Sequence, residues 1–188
     1  MNVGQKNVIV TSHPDDECLW CGGLPLRFAD RQWTVICCSI PRIDAERQYK
    51  FIDACKILGV SEASVLPFIE TEPNAPLVGL DQLDLEGFDT IVTHNEHGEY
   101  GHCHHRSVNA HIFANWRHKN IVTIGYHAHG QGAETLELSG REVQTKLRAL
   151  RSYDHVSPTD RKPKWQALIE TYYVGKGINP AIETYDVH

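Results

Sequence analysis

The chain alternates short, uniformly apolar runs with longer amphipathic stretches. NVIVTS (7–12) is β-branched, apolar throughout its middle and closed by polar residues. That is the pattern of a strand buried on both faces. WTVICCSI (33–40) repeats it, and SVLPF (64–68), DTIVTHN (89–95) and NIVTIGYH (120–127) are shorter versions. Between these runs the apolar period lengthens. Leu19 to Ala29 predicts a helix. Ala45 to Leu58 sets Tyr49, Ile52, Ala54, Cys55 and Leu58 near helical spacing, and Gly59 is a natural stop. His105 to Trp116 predicts a further helix. ETLELS (134–139) alternates as an edge strand does. Ser139 caps a helix running to about Tyr153, with Glu142 placed for a capping box. DQLDLEG holds one or two helical turns. The tail from Ser157, with Pro158, Pro163 and Pro180, predicts mostly loop with one helical turn.

Strands alternating with helices imply an α/β domain with a mostly parallel central sheet covered on both faces. Nothing divides residues 1–188, so a single domain is expected. Ligands of such sheets bind beyond the carboxyl ends of the strands. The two segments richest in reactive side chains fall there: His13–Glu17 follows the first strand, and His94–His105 follows DTIVT.

Composition narrows the picture. Hydrophobic residues are 41% and charged residues 22%, ordinary for a soluble globular protein, and the formal net charge is -6. A mildly acidic chain without a basic block argues against nucleic acid as a partner. The apolar runs are strand-length, so no transmembrane segment is expected. MNVGQKNVIVTSHPDDE has no apolar leader region, and the expected compartment is cytoplasmic. The six cysteines are scattered, as small buried hydrophobes in an intracellular chain are. The histidines are less ordinary. Seven of twelve fall between His94 and His118, and five of those lie within His94–His105.

A tight turn leaving a strand can aim residues i and i+3 at one point, and His13 and Asp16 have that spacing. Imidazole and carboxylate suit a borderline divalent ion such as zinc, and ferrous iron shares such ligands. Catalytic zinc takes three protein ligands and keeps a position for water, so a third ligand must come from elsewhere. HNEHGEYGHCHH (94–105) supplies candidates. Asp15, beside the pair, could stay unligated and take a proton from an activated water.

HPDDE followed by Gly22-Gly23, together with THNEHGEYGHCHH and its helix, resembles the two signatures of the PIG-L/LmbE de-N-acetylase family. RQYKFIDACKILGV and KLRALRSYDH resemble further segments of that family, so the likeness runs from about Val8 to His155. It implies a Rossmann-like three-layer α/β fold and a zinc-dependent hydrolase removing acetyl from N-acetylglucosamine-type sugars. It implies His13, Asp16 and His105 as metal ligands and Asp15 as general base. His102 would stabilise the oxyanion or protonate the leaving amine. Arg47 aligns with a sugar-contacting Arg, although Arg42 is close, and Glu70 with an Asp that binds sugar hydroxyls. His104 departs from the family, which often has Asp or Gln there to orient the histidine equivalent to His102.

The expected partner is therefore a small-molecule N-acetylamino sugar or its conjugate, with the aglycone and any homo-oligomer left open. Two other readings stand beside this one. A zinc-holding module could bind a glycan without turnover. Cys18 and Cys21 form the Cys-x-x-Cys of a thiol oxidoreductase, against which stands their placement three apart on a core-facing helix.

Overall fold

The computed structural model describes residues 1–39, 46–67, 75–126, 134–156 and 161–188. They form a seven-stranded sheet in the order β3-β2-β1-β4-β5-β7-β6. The strands are β1 (Lys6–Thr11), β2 (Gln32–Cys37), β3 (Glu62–Val65), β4 (Thr90–Thr93), β5 (Asn120–Ile124), β6 (Glu134–Glu137) and β7 (Ile182–Val187). The first five are mutually parallel, with Ile9 opposite Val35 on one side and Val92 on the other. β7 runs antiparallel between β5 and β6. The fold is thus the expected mostly parallel α/β sheet flanked by helices.

Strand periodicity divides the core. Ile9, Val35, Val92 and Val122 point to one face. There they meet α1 (Asp16–Trp20), α2 (Gly23–Arg27), α3 (Arg47–Leu58) and α6 (Gly140–Leu150) through Leu24, Phe51, Leu58 and Leu150. Val8, Val10, Ile91 and Ile121 point to the other face, against Val108, Ile112 and Trp116 of α5 (Cys103–Trp116). The outer strand β6 is at an edge, as its alternation predicts, and the Ser139–Glu142 capping box opens α6.

Two expectations are corrected. The helix expected over Leu19 to Ala29 begins at Asp16 and breaks at Cys21, so α1 and α2 are separate turns. The break lets the Gly23 N–H reach Glu183 Oε1 at 2.9 Å, and a Cβ at Gly23 would sit 2.6 Å from Glu183 Oε2. Glu183 in turn pairs with buried Lys146 at 2.5 Å, which fixes α2, α6 and β7 together. The tail is not mostly loop. α7 (Lys164–Leu168) continues as a π-helical segment over Ile169–Gly175, and β7 follows. Pro163 stands at the helix N-cap and Pro180 just before β7. These prolines bound elements rather than dissolve them. Among the described residues no helix is long and apolar enough to cross a membrane.

Candidate active site

The strand order reverses between β1 and β4, and both reactive turns leave the carboxyl ends of these two neighbours. The turn after β1 is locked by its own polar groups. The His13 N–H donates to Asp16 Oδ2 at 2.8 Å, and the Asp16 N–H donates to the His13 carbonyl at 3.2 Å. Asp15 is forced to φ 104, where an L residue is strained by roughly 1–3 kcal/mol. Its N–H is held by Glu17 Oε2 at 2.9 Å. Glu17 Oε1 accepts from the Tyr153 hydroxyl at 2.7 Å and from the Cys18 thiol. Burial pushes the Glu17 carboxyl up to about 7, against the pull of that hydroxyl. Trp20 Nε1–H donates to Asp16 Oδ1 at 3.2 Å, which leaves Oδ2 aimed inward.

The turn after β4, which contains the short α4 (Gly98–Gly101), is held by Glu99, which has no exposed surface and also sits at positive φ (55). Gly98, at φ 65, precedes it, and a Cβ there would lie 2.9 Å from Arg106 Cγ. Glu99 Oε1 accepts the Asn95 N–H, while Oε2 meets His94 Nδ1 at 3.1 Å and, closer still, His105 Nδ1. His94 and His105 stack with centroids 3.7 Å apart.

Three ligand atoms then converge. His13 Nδ1 and Asp16 Oδ2 are 3.4 Å apart, Asp16 Oδ2 and His105 Nε2 3.4 Å, and the two imidazole nitrogens 3.3 Å. Bonds of about 2.0–2.2 Å in tetrahedral array put ligand atoms roughly 3.3–3.6 Å from one another, so the triangle fits zinc. The charges agree. Burial alone would lower His105, but the Asp16 and Glu99 carboxylates outweigh it and hold the imidazole up at about 10. Asp16 is itself buried, yet His105 and the hydrogen bonds around it keep its carboxyl well below the usual range. The pocket is therefore built for a positive charge. His94 Nε2 lies 3.5 Å from Asp16 Oδ2 and belongs to an overlapping donor group, but it already accepts the Ser12 N–H at 2.9 Å. His102 joins a second such group with His13 and His105.

Asp15 stands beside this triangle. Burial raises its carboxyl to about 6, against the opposing pull of Arg47, which pairs with its Oδ2. The triangle opens into a cleft of about 300 Å³ lined by Asp15, Arg47, Tyr100, His102, Lys164 and Tyr172, among others. A separate hollow of about 370 Å³, walled by Asn109, Phe113 and His188, shares no residue with it.

The family model of PIG-L, the GlcNAc-PI de-N-acetylases, matches residues 8–116, more than half of the chain. The chain belongs to this family. Its curated relative from Bos taurus, an N-acetylglucosaminyl-phosphatidylinositol de-N-acetylase, is 27% identical over 123 residues, covering 57% of this chain and 49% of the relative. The chain thus spans about half the length of that relative. Among solved structures, the N,N'-diacetylchitobiose deacetylase of Pyrococcus horikoshii, complexed with its inhibitor, superposes with TM-score 0.70 at 18% identity, covering 98% of this chain and 84% of that one. A 4-carboxy-2-hydroxymuconate hydratase of Pseudomonas putida KT2440 superposes with TM-score 0.53 at 15% identity, covering 97% and 95%. Likeness at these identities is likeness of fold, and the hydratase marks how widely chemistry varies on it.

Of the residues that the PIG-L resemblance singles out, His13, Asp16, His105, Asp15, His102 and Arg47 meet at one point. Glu70 and Arg42 lie outside the described residues. His102 caps α5, its Nδ1 accepting the His104 N–H at 3.3 Å. Burial and the neighbouring His105 lower its imidazole to about 4. Sequence reasoning missed His94, Tyr153, Lys164 and Tyr172 as parts of the site. One signal was available: Tyr153 lies in KLRALRSYDH, already singled out by resemblance. Cys18 and Cys21 are fully buried, and burial drives both thiols well above their usual range.

Proposed function

We propose that the chain is a metal-dependent hydrolase that removes the acetyl group from an N-acetylglucosamine-type amino sugar or its conjugate, within a single catalytic domain. One arrangement carries this reading: a triangle of His13, Asp16 and His105 donors spaced for zinc, with an unligated carboxylate, Asp15, at its rim. A divalent ion held there would polarise an amide carbonyl and acidify a water. His13, Asp16 and His105 would hold it. Asp15 takes the proton of the attacking water, and its strained turn keeps it next to the ligands rather than among them. Arg47, bonded to Asp15 Oδ2, orients that carboxylate and lines the cleft where the sugar lies. His102, stacked 4.8 Å from His105, lines the same cleft and would donate to the developing oxyanion or the departing amine. Membership of a de-N-acetylase family supports the amide as the bond cleaved. The buried, protonated thiols of Cys18 and Cys21 weigh against thiol redox chemistry, which needs an accessible thiolate.

The test is acetate release from a panel of N-acetylglucosamine conjugates, run on metal-free protein and on protein loaded with zinc or ferrous iron. Turnover restored by metal, on at least one conjugate, is the expected result. Stoichiometric metal without acetate from any conjugate would favour the glycan-binding module instead.

A further inference from the structure

We propose that His104 is a positioning residue for the ligand His13, a role that rests on the metal-centre reading above. His104 is 2% exposed and lies in the first turn of α5, one residue before His105. Its Nδ1 is 2.9 Å from His13 Nε2. The other His13 nitrogen, Nδ1, is the one that faces Asp16 Oδ2 and His105 Nε2. A neutral imidazole carries a single ring proton, and a nitrogen that binds a metal cannot carry it. The His13 proton must then sit on Nε2, and its 2.9 Å partner must accept. That demands a lone pair on His104 Nδ1. The side chain at 104 thus fixes both the tautomer and the ring plane of His13.

This accounts for the departure noted in the sequence. An Asp or Gln at this position would orient the histidine at 102. Here the backbone N–H of His104 serves His102, at 3.3 Å, and Nδ1 of its side chain meets His13. His105 has a carboxylate behind it in Glu99, and Asp16 has the Trp20 indole. His104 completes the set, so each of the three donors has its own outer partner, the arrangement that tunes affinity in metal sites.

The test measures zinc affinity of the full chain by competition with a chelator. H104L removes the acceptor at similar bulk, and H104N keeps an acceptor oxygen near the place of Nδ1. H104L should bind zinc about 10–100-fold more weakly, and H104N within about threefold of the parent. Equal losses in the two variants, or no loss in H104L, would overturn the proposal. Nitrogen NMR of the zinc-loaded parent gives a check independent of any variant. His13 should show Nδ1 as the ligand atom and a proton on Nε2, and ligation through Nε2 refutes the role. A parent chain that takes up no zinc would bring down the metal-centre reading, whereas a binding parent with an unaffected H104L removes only the role of His104.

Discussion

Asp15 and Glu99 are the two non-glycine residues at positive φ among the described residues, each an acid in the turn after a central strand. They end in opposite states. Burial lifts Asp15 to about 6, with Asp16 nearby and Arg47 pulling the other way. Burial would lift Glu99 too, but His94 and His105 outweigh it and hold the carboxyl at about 2. Asp15 lines the cleft, while Glu99 faces only the protein interior. Similar backbone strain and similar side chains therefore yield a carboxyl that holds a proton more readily in one turn and a fixed anion in the other. What decides is the charge of the neighbours, not the acid itself.

The comparison can be broken most severely at Asp15. D15N keeps an acceptor for Arg47 but removes the base, and turnover should fall about 10²–10⁴-fold with metal content unchanged. Acetate release and metal analysis on the same preparation check it, and lost metal would mean that Asp15 is a ligand. E99Q should do the reverse. Without the anion behind His105, metal affinity drops about 10–100-fold, while turnover at saturating metal falls less. Chelator competition read beside kinetics separates the two effects.

The sequence carried the pairing of these turns but not their division of labour. His13 and Asp16 were legible as a donor pair because ligand chemistry restricts residue type and because the strand pattern puts both turns at one end of the sheet, while His105 became legible only through the PIG-L resemblance. Glu99 was not, since its function comes from a left-handed backbone and two stacked imidazoles that no spacing rule encodes. His94 looked like one more loop histidine and proved to be an interior bridge between Ser12 and Glu99. α7 and its π-helical continuation were hidden by prolines that lie at the element boundaries. The break after α1 was hidden by an apolar pattern that runs on past Gly22-Gly23.

Support for the strained turn can be probed more gently. Y153F leaves Glu17 Oε1 without its 2.7 Å donor, and stability should fall by about 1–3 kcal/mol, read from the denaturant midpoint. If the turn depends on Glu17, turnover falls too, with metal retained. The smallest effect lies away from either turn. Glu142 hydrogen-bonds Arg27, which lowers its carboxyl to about 2, and it closes the α6 capping box. E142A should cost about 1 kcal/mol at neutral pH. Because the folded-state value is depressed, the contribution of its charge is present above about 4.5 and fades as pH falls toward 2. Thermal melts of parent and variant should therefore converge in acid.

The position of β7 has a consequence for the order in which the chain assembles. β6 emerges from the ribosome some forty-five residues ahead of β7, counting from Glu137 to Ile182, yet it borders the sheet only through β7. Until the later strand arrives, β5 has an open edge and β6 has nothing to pair with, the kind of long-range closure that slows folding. The intervening chain carries Lys164 and Tyr172, which wall the cleft. Sealing the sheet and completing the cleft wall thus both wait on this late segment, and a nascent chain stalled before it would display the donors of the first two turns without Lys164 and Tyr172 beside them.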